Sequence, residues 1–142
     1  SMSDVQSPLR ALWSKGLFAI TIYADDLVAS RHFYGEVLQM EEIFFTHDSV
    51  GFKMGSACIN VLMKENAPEL VEPLPIAPSS AGSRSLLTVT VDNVDAAHAA
   101  LVARGVRFLN GPMDRPWGMR TAAFADPSGH CWELAQRIDS GA

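Results

Sequence analysis

Two stretches of the chain share one pattern of apolar and polar positions, at residues 19–38 and 86–105. In both stretches apolar residues first alternate with smaller or polar ones, which is typical of a strand with one buried face. Each alternating run ends at an Asp or Asn pair, Asp25-Asp26 or Asp92-Asn93, whose side chains can cap a helix. A stripe of apolar residues at helical spacing follows, and Gly105 suits the end of the second helix. The pattern predicts the same strand and helix twice.

Three short strand-like segments follow each predicted helix. They are residues 41–47, 50–55 and 58–64 in the first copy, and residues 106–110, 120–125 and 130–136 in the second. Residues 110–119 are predicted to form a loop, and the DPSG residues at 126–129 suit a type I turn because proline occupies the second position. Phe44, Phe45 and Phe52 are predicted to be core residues. Each copy is therefore predicted to be a βαβββ module.

The segment between the two copies contains four prolines and is predicted to be an extended connector. We expect one domain over residues 1–142, with module one at about 17–64, the connector at about 65–84 and module two at about 85–137. The predicted fold class is α+β.

Composition excludes several classes of protein. The 142 residues carry a formal net charge of −5, which argues against a nucleic-acid partner and would attract cationic small molecules. No apolar run has the roughly 18 residues of a membrane span, so we expect a cytoplasmic protein without a membrane partner. The two cysteines, Cys58 and Cys131, lie far apart, which is typical of free thiols rather than of a disulfide framework or a structural zinc site.

Four motifs carry a resemblance to a known family: DDL at 25–27, FY at 33–34, PWGMR at 116–120 and FADPSGHCWELAQ at 124–136. Over about residues 17–137 the chain resembles the glyoxalase, bleomycin-resistance and extradiol-dioxygenase superfamily, also called vicinal oxygen chelate. The resemblance implies two curved mixed sheets around a cleft, usually completed by homodimerisation, and a metal site in the enzymatic members. Whether the two modules pair within one chain or swap between chains stays open.

The resemblance also indicates which four positions would hold that metal. They are Ala19 and Leu86 on the first strand of each module, and Asn60 and Glu133 on the last. Only Glu133 is a usual ligand of zinc, nickel or iron, which bind His, Cys, Asp and Glu. The histidines do not repair the set. His32 and His98 lie on predicted helices, His130 is on the opposite strand face from Glu133, and His47 has no evident histidine partner. We therefore expect no metal ion and no cofactor.

Glu133 is expected to face the cleft because its neighbours Trp132 and Leu134 suit the core. Its charge would be stabilised either by Arg120 or by a cationic ligand, and if the protein is an enzyme Glu133 is the expected catalytic base. Trp117 lies in a Pro- and Gly-flanked loop and could stack on a flat ligand or pack over the sheet. The full expected ligand site is Thr21, Tyr23, Asn60, Leu86, Thr88, Trp117, Arg120 and Glu133.

Three functions fit this sequence. The first is metal-independent sequestration of a small aromatic or cationic ligand, similar to proteins of the family that confer antibiotic resistance by capturing bleomycin-like compounds. The second is a glyoxalase-like lyase, isomerase or dioxygenase, which either uses a metal or uses Glu133 as its base. The third is an accessory binding module without a resistance role.

Overall fold

A computed structural model describes residues 8–139 and contains two four-stranded mixed sheets. The strands of the first sheet are β1 (Ala19–Ala24), β2 (Glu42–Phe45), β3 (Ser49–Met54) and β4 (Ala57–Met63). Those of the second are β5 (Leu86–Thr90), β6 (Phe108–Arg115), β7 (Met119–Ala125) and β8 (Cys131–Arg137). The spatial orders are β1-β4-β3-β2 and β5-β8-β7-β6, with β1 parallel to β4 and β5 parallel to β8. These observations confirm the α+β class and the two βαβββ modules.

The two predicted helices begin where their capping residues indicate. The short helix α1 (Pro8–Ala11) precedes β1, α2 (Leu27–His32) continues into a π-helical segment (Phe33–Val37), α3 (Pro68–Val71) lies in the connector, and α4 (Val94–Ala103) follows β5. The carboxylate of Asp26 accepts a hydrogen bond from the backbone N–H of Ala29 at 3.1 Å, and the amide oxygen of Asn93 accepts one from Ala96 at 3.0 Å. No helix within residues 8–139 has the length and apolar character needed to cross a membrane.

Two segments differ from the sequence-based expectation. Most of the predicted loop at 110–119 belongs to β6, which reaches Arg115 because a shift in its pairing with β7 between Asn110 and Met113 accommodates Gly111 and Pro112. The connector is not uniformly extended. It contains α3 and two short 3₁₀ turns, Lys64–Asn66 and Ser79–Ala81, and Pro68 occupies the first turn of α3, where its missing N–H costs nothing.

One hydrophobic core lies between the helices and one face of each sheet. The Tyr34 ring in the π-helical segment lies 5.7 Å from the ring of Phe52 on β3 and 5.9 Å from that of Trp132 on β8. Phe52 is confirmed as a core residue, but Phe44 and Phe45 are not, since they remain 40% and 49% exposed. Both lie on β2, the outermost strand of its sheet, which has one neighbouring strand to cover it.

The turn at 126–129 joins the two modules through hydrogen bonds. Asp126 accepts a bond from the Tyr34 hydroxyl at 2.6 Å, and its other oxygen accepts bonds from the backbone N–H groups of Ser128 and His130 at 2.8 and 2.9 Å. The Trp132 indole N–H donates to the Tyr34 oxygen at 2.9 Å, and Nε2 of His130 donates to the backbone carbonyl of Tyr23 at 2.7 Å. The closing motif of the sequence thus fixes module two against module one.

Tyr34 is expected to make the stability of the fold sensitive to alkaline pH. Burial, the adjacent charge of Asp126 and the hydrogen bond to it raise the pKa of Tyr34 far above its ordinary value of 10.0. Above about pH 10 the unfolded chain therefore releases this proton while the native chain keeps it. The free energy of unfolding should fall by about 1.4 kcal/mol per pH unit from this residue.

Urea unfolding at several pH values between about 9 and 11 measures this slope. Tyr34→Phe should lower the stability at neutral pH and remove the contribution of this residue to the slope. Tyr23→Phe, which alters the other of the two tyrosines, serves as the control and should keep the wild-type slope. An unchanged slope in Tyr34→Phe would show that the pKa of this side chain is not responsible.

Candidate functional site

Each sheet has one face in the shared core and one face that carries exposed residues, called here the open face. On the open face of the first sheet, strand pairing aligns Thr21, Asn60, Gly51 and Phe44 into a row across all four strands. On the second sheet the corresponding row is Thr88, Glu133, Ala123 and Asn110. These sets are called the first row and the second row. The expected polar residues on the first and last strand of each module thus occupy equivalent positions.

Each row contains a hydrogen-bonded pair of side chains. In the first row the Asn60 amide nitrogen donates to the Thr21 hydroxyl at 3.2 Å. In the second row the Thr88 hydroxyl donates to the Glu133 carboxylate at 3.0 Å. The Asn60 amide oxygen is buried and accepts no hydrogen bond from any residue between 8 and 139. A buried acceptor without a donor is costly, so Asn60 is held on this face at some cost in stability.

Phe44 forms an apolar surface at one end of the first row. Its ring lies directly over Gly51, where a Cβ atom would come within 2.0 Å of the ring carbon Cε1. A glycine in the interior of a strand often marks such a close approach. Gly51 is therefore the one feature of the sequence that could have predicted the position of this ring.

The open face of the second sheet also carries Arg115 and Trp117, beside the turn between β6 and β7. Nε of Arg115 donates to the Thr121 hydroxyl at 2.9 Å, and the guanidinium carbon lies 5.9 Å from the centre of the Trp117 ring. Trp117 is 64% exposed, so most of its ring surface is accessible to a ligand or to another chain. Arg115 was not predicted, because the proposed loop at 110–119 gave no indication of which face it would join.

Arg120 does not lie where it was expected. It pairs in register with Gln136, whose side chain accepts a hydrogen bond from the N-terminus of α4, and it therefore lies on the helix-bearing face. Its guanidinium contacts Asp95 at 3.1 Å and Asp114 at 2.9 Å. These two carboxylates raise the pKa of Arg120 through their hydrogen bonds. Arg120 thus stabilises the packing of α4 and is not the partner of Glu133.

Glu133 carries a charge that no cation compensates. Its hydrogen-bond donor is Thr88, and no Lys, Arg or His side chain among residues 8–139 forms an ion pair with it. The nearby thiol of Cys131 responds to the same environment, since burial and the charge of Glu133 raise the pKa of that thiol. The second row therefore presents one carboxylate among two neutral polar side chains and Ala123.

The remaining expected residues occupy different surroundings. Leu86 lies on the open face beside Cys131 and is 52% exposed. Tyr23 is at the end of β1, where it borders a cavity of about 400 Å³ between the modules together with His130, Arg84 and Leu87. The structure therefore places the threonines, Tyr23, Asn60, Leu86 and Glu133 on open faces, with Tyr23 also beside the cavity between the modules, and Arg120 on the helix-bearing face.

The donor set does not fit the metal site that the fold implies. The side chains at the first-strand positions, Ala19 and Leu86, have no donor atom. At the last-strand positions, Glu133 has a carboxylate but Asn60 has only a neutral amide oxygen. Cys58 and Cys131 are the register partners of Ala19 and Leu86, but they lie on different sheets, so the open face of each sheet has one of these thiols. Within residues 8–139 no three His, Cys, Asp or Glu side chains are grouped closely enough to hold one ion.

Comparison with known proteins identifies the family. The family model of the Glyoxalase/Bleomycin resistance protein/Dioxygenase superfamily matches residues 16–134. The protein YraH of Bacillus subtilis (strain 168), itself uncharacterised, is 30% identical over 126 residues, which cover 86% of this chain and 98% of YraH. An uncharacterised protein of Mycobacterium tuberculosis (strain ATCC 25618 / H37Rv), Rv0887c, is 25% identical over 122 residues, which cover 82% of this chain and 72% of that protein.

Solved structures show the same architecture. A glyoxalase/bleomycin resistance protein/dioxygenase from Nocardioides superposes with a TM-score of 0.78 at 24% identity, covering 99% of this chain and 90% of that one. A glyoxalase-related enzyme from Fulvimarina pelagi gives a TM-score of 0.73 at 28% identity, covering 87% and 88%. The paired βαβββ modules and the family match over residues 16–134 together show that the chain belongs to the Glyoxalase/Bleomycin resistance protein/Dioxygenase superfamily.

Proposed function

We propose that the protein binds a small aromatic and cationic organic molecule without using a metal ion. The observation that carries this proposal is the Glu133 carboxylate, which lies on an open sheet face with Thr88 as its donor and no cationic partner among residues 8–139. A positively charged group of a ligand would supply that partner. The weak fit of the donor set to a metal supports binding over metal-dependent catalysis.

Aromatic recognition is supported by the two exposed rings. Phe44 lies at one end of the first row and Trp117 lies beside the second sheet, and both offer flat apolar surface. The exposed hydroxyl of Thr21, which accepts a hydrogen bond from Asn60, would donate one to the same ligand. Polar groups spaced along an apolar surface are typical of small-molecule sites.

A homodimer is part of this proposal because each open face is incomplete in a single chain. Thr21, Thr88 and Leu86 are exposed, although they lie at the centre of the expected cleft. The helix-bearing faces of both sheets already share one core, so these faces cannot also enclose the cleft. A second copy that sets its second row opposite the first row of its partner would close two equivalent clefts, with the modules swapped between chains.

Titration with ethidium, acridine orange and bleomycin tests the charge requirement, with tryptophan fluorescence as the readout. We expect at least one of these cations to bind, and Glu133→Gln to weaken that binding by about 10-fold through loss of a charge-assisted contact. Glu69→Gln makes the same charge change on the exposed helix α3 and should leave the affinity unchanged. Equal affinities in the wild type and both variants would refute the role of Glu133.

The same titration tests the aromatic surface with a matched pair of variants. Phe44→Ala should weaken binding by about 10-fold. Phe45→Ala is the control, because Phe45 is similarly exposed but lies on the other side of β2, where Arg31 stacks on it at 3.7 Å.

A protein purified without chelators that carries stoichiometric zinc, nickel, iron or manganese would instead favour the metal-dependent enzyme.

A further inference from the structure

The segment before β1 carries several large apolar side chains that are mostly exposed. Within residues 8–18, called here the arm, five large apolar side chains remain between 65% and 89% exposed. They are Leu9, Leu12, Trp13, Leu17 and Phe18. The helix α1 has no buried residue, and the Phe18 carbonyl accepts a hydrogen bond from the Cys58 N–H at 3.0 Å.

We propose that the arm docks onto a second copy of the chain and stabilises the dimer. Together its five side chains expose on the order of 700 Å² of apolar surface, close to the roughly 800 Å² that each partner contributes to a stable interface. Exposed apolar surface of this extent in a short segment marks an interaction site. The inference rests on the dimer in the proposed function but not on the identity of its ligand.

The position of the arm indicates which surface of the second copy it reaches. The arm leads directly into β1, the edge strand of the first sheet, so it lies beside the first row. In the proposed dimer that row faces the second sheet of the partner. The open side of that second sheet exposes Leu86 at 52%, Met113 at 41% and Trp117 at 64%, which offers apolar surface for the arm to cover.

Charge favours a second copy over a membrane as the occupant. The arm carries Lys15 and no acidic residue, whereas the whole chain has a formal net charge of −5, so a second copy attracts the arm. An anionic lipid surface would repel that same acidic chain, and the four-residue helix α1 is too short to present a continuous amphipathic face.

Sedimentation velocity over a wide range of protein concentrations tests the proposal with full-length protein and no ligand. The double variant Leu12→Ser/Trp13→Ser should raise the dimer dissociation constant by at least about 100-fold. The control Leu70→Ser/Leu74→Ser removes two connector side chains of matching exposure, 66% and 68%, and should leave the constant unchanged. Both variants should keep the circular dichroism spectrum of the wild type because the altered side chains are exposed.

A wild-type protein that stays monomeric, or an arm variant that dimerises as tightly as the wild type, would overturn the proposal. So would a monomer whose arm instead mediates binding to phosphatidylserine vesicles, with loss of that binding in the double variant. If none of the ligands binds but the double variant still has a raised dimer dissociation constant, only the proposed ligand binding is refuted. If the dimer binds a ligand but has the same dissociation constant in the wild type and the arm variant, only the proposed role of the arm is refuted.

Discussion

Replacing Asp126 with alanine is expected to lower the free energy of unfolding by about 3–5 kcal/mol, because three buried donors lose their acceptor at once. These donors are the Tyr34 hydroxyl and the backbone N–H groups of Ser128 and His130. Asp126 is 6% exposed and Tyr34 is fully buried, so water cannot replace the lost bonds without opening the core. Urea unfolding with linear extrapolation measures the change.

The control for this prediction is Asp95→Ala. Asp95 also accepts several hydrogen bonds, in its case from Arg120, but its side chain is 60% exposed. Ion pairs of this kind contribute about 1 kcal/mol or less. Similar losses in both variants would mean that the Asp126 network does not hold the two modules together.

Replacing Gly111 with alanine is expected to destabilise the protein by about 2–4 kcal/mol and to displace part of the proposed ligand site. Gly111 has φ = +81°, and a Cβ atom there would lie 2.3 Å from the Thr121 carbonyl oxygen and 2.7 Å from the Ala122 Cα. Because these atoms belong to the backbone of β7, β6 itself must move. That movement would shift Asn110 and Arg115 on the open face. Binding of the cationic ligands used in the titration should therefore weaken as the protein loses stability.

Gly55→Ala separates the steric contact from the backbone conformation. Gly55 also has a positive φ, +58°, but no atom lies within 4 Å of the position of its Cβ. Gly55→Ala should therefore lower the free energy of unfolding by about 1 kcal/mol because of the left-handed conformation alone. Binding of the cationic ligands used in the titration should not change. A Gly111→Ala variant that unfolds and binds like Gly55→Ala would show that β6 tolerates the added methyl group.

Local features of the chain were sufficient to predict most of the fold. Alternating apolar residues identified β1 and β5, and the side chains of Asp26 and Asn93 fixed where two helices begin. These predictions succeed because a capping bond and strand alternation each involve residues within a few positions of one another. The prediction for residues 110–119 was wrong because a strand that contains bulges has the same glycine and proline signals as a loop.

The candidate site was predictable only in part, because some of its contacts join residues that are far apart in the sequence. Alternation alone put Glu133 on the face opposite Trp132, as observed, since Trp132 is 2% exposed in the core. It could not identify the partner of Glu133, because Thr88 lies 45 positions away and becomes a neighbour only through the parallel pairing of β5 with β8. Arg120 was assigned to the cleft although the register of β7 turns it towards Asp95 on α4.

By itself, then, the sequence determined the two βαβββ modules, the caps of their helices and the poor donor set at the four positions where relatives would bind a metal. Only the tertiary structure decided that both helix-bearing faces share one core and that Phe44 and Arg115 lie on open faces. The physical reason is that periodicity fixes which side of an element is apolar. Which elements cover that side depends on strand register and on contacts between residues far apart in the chain.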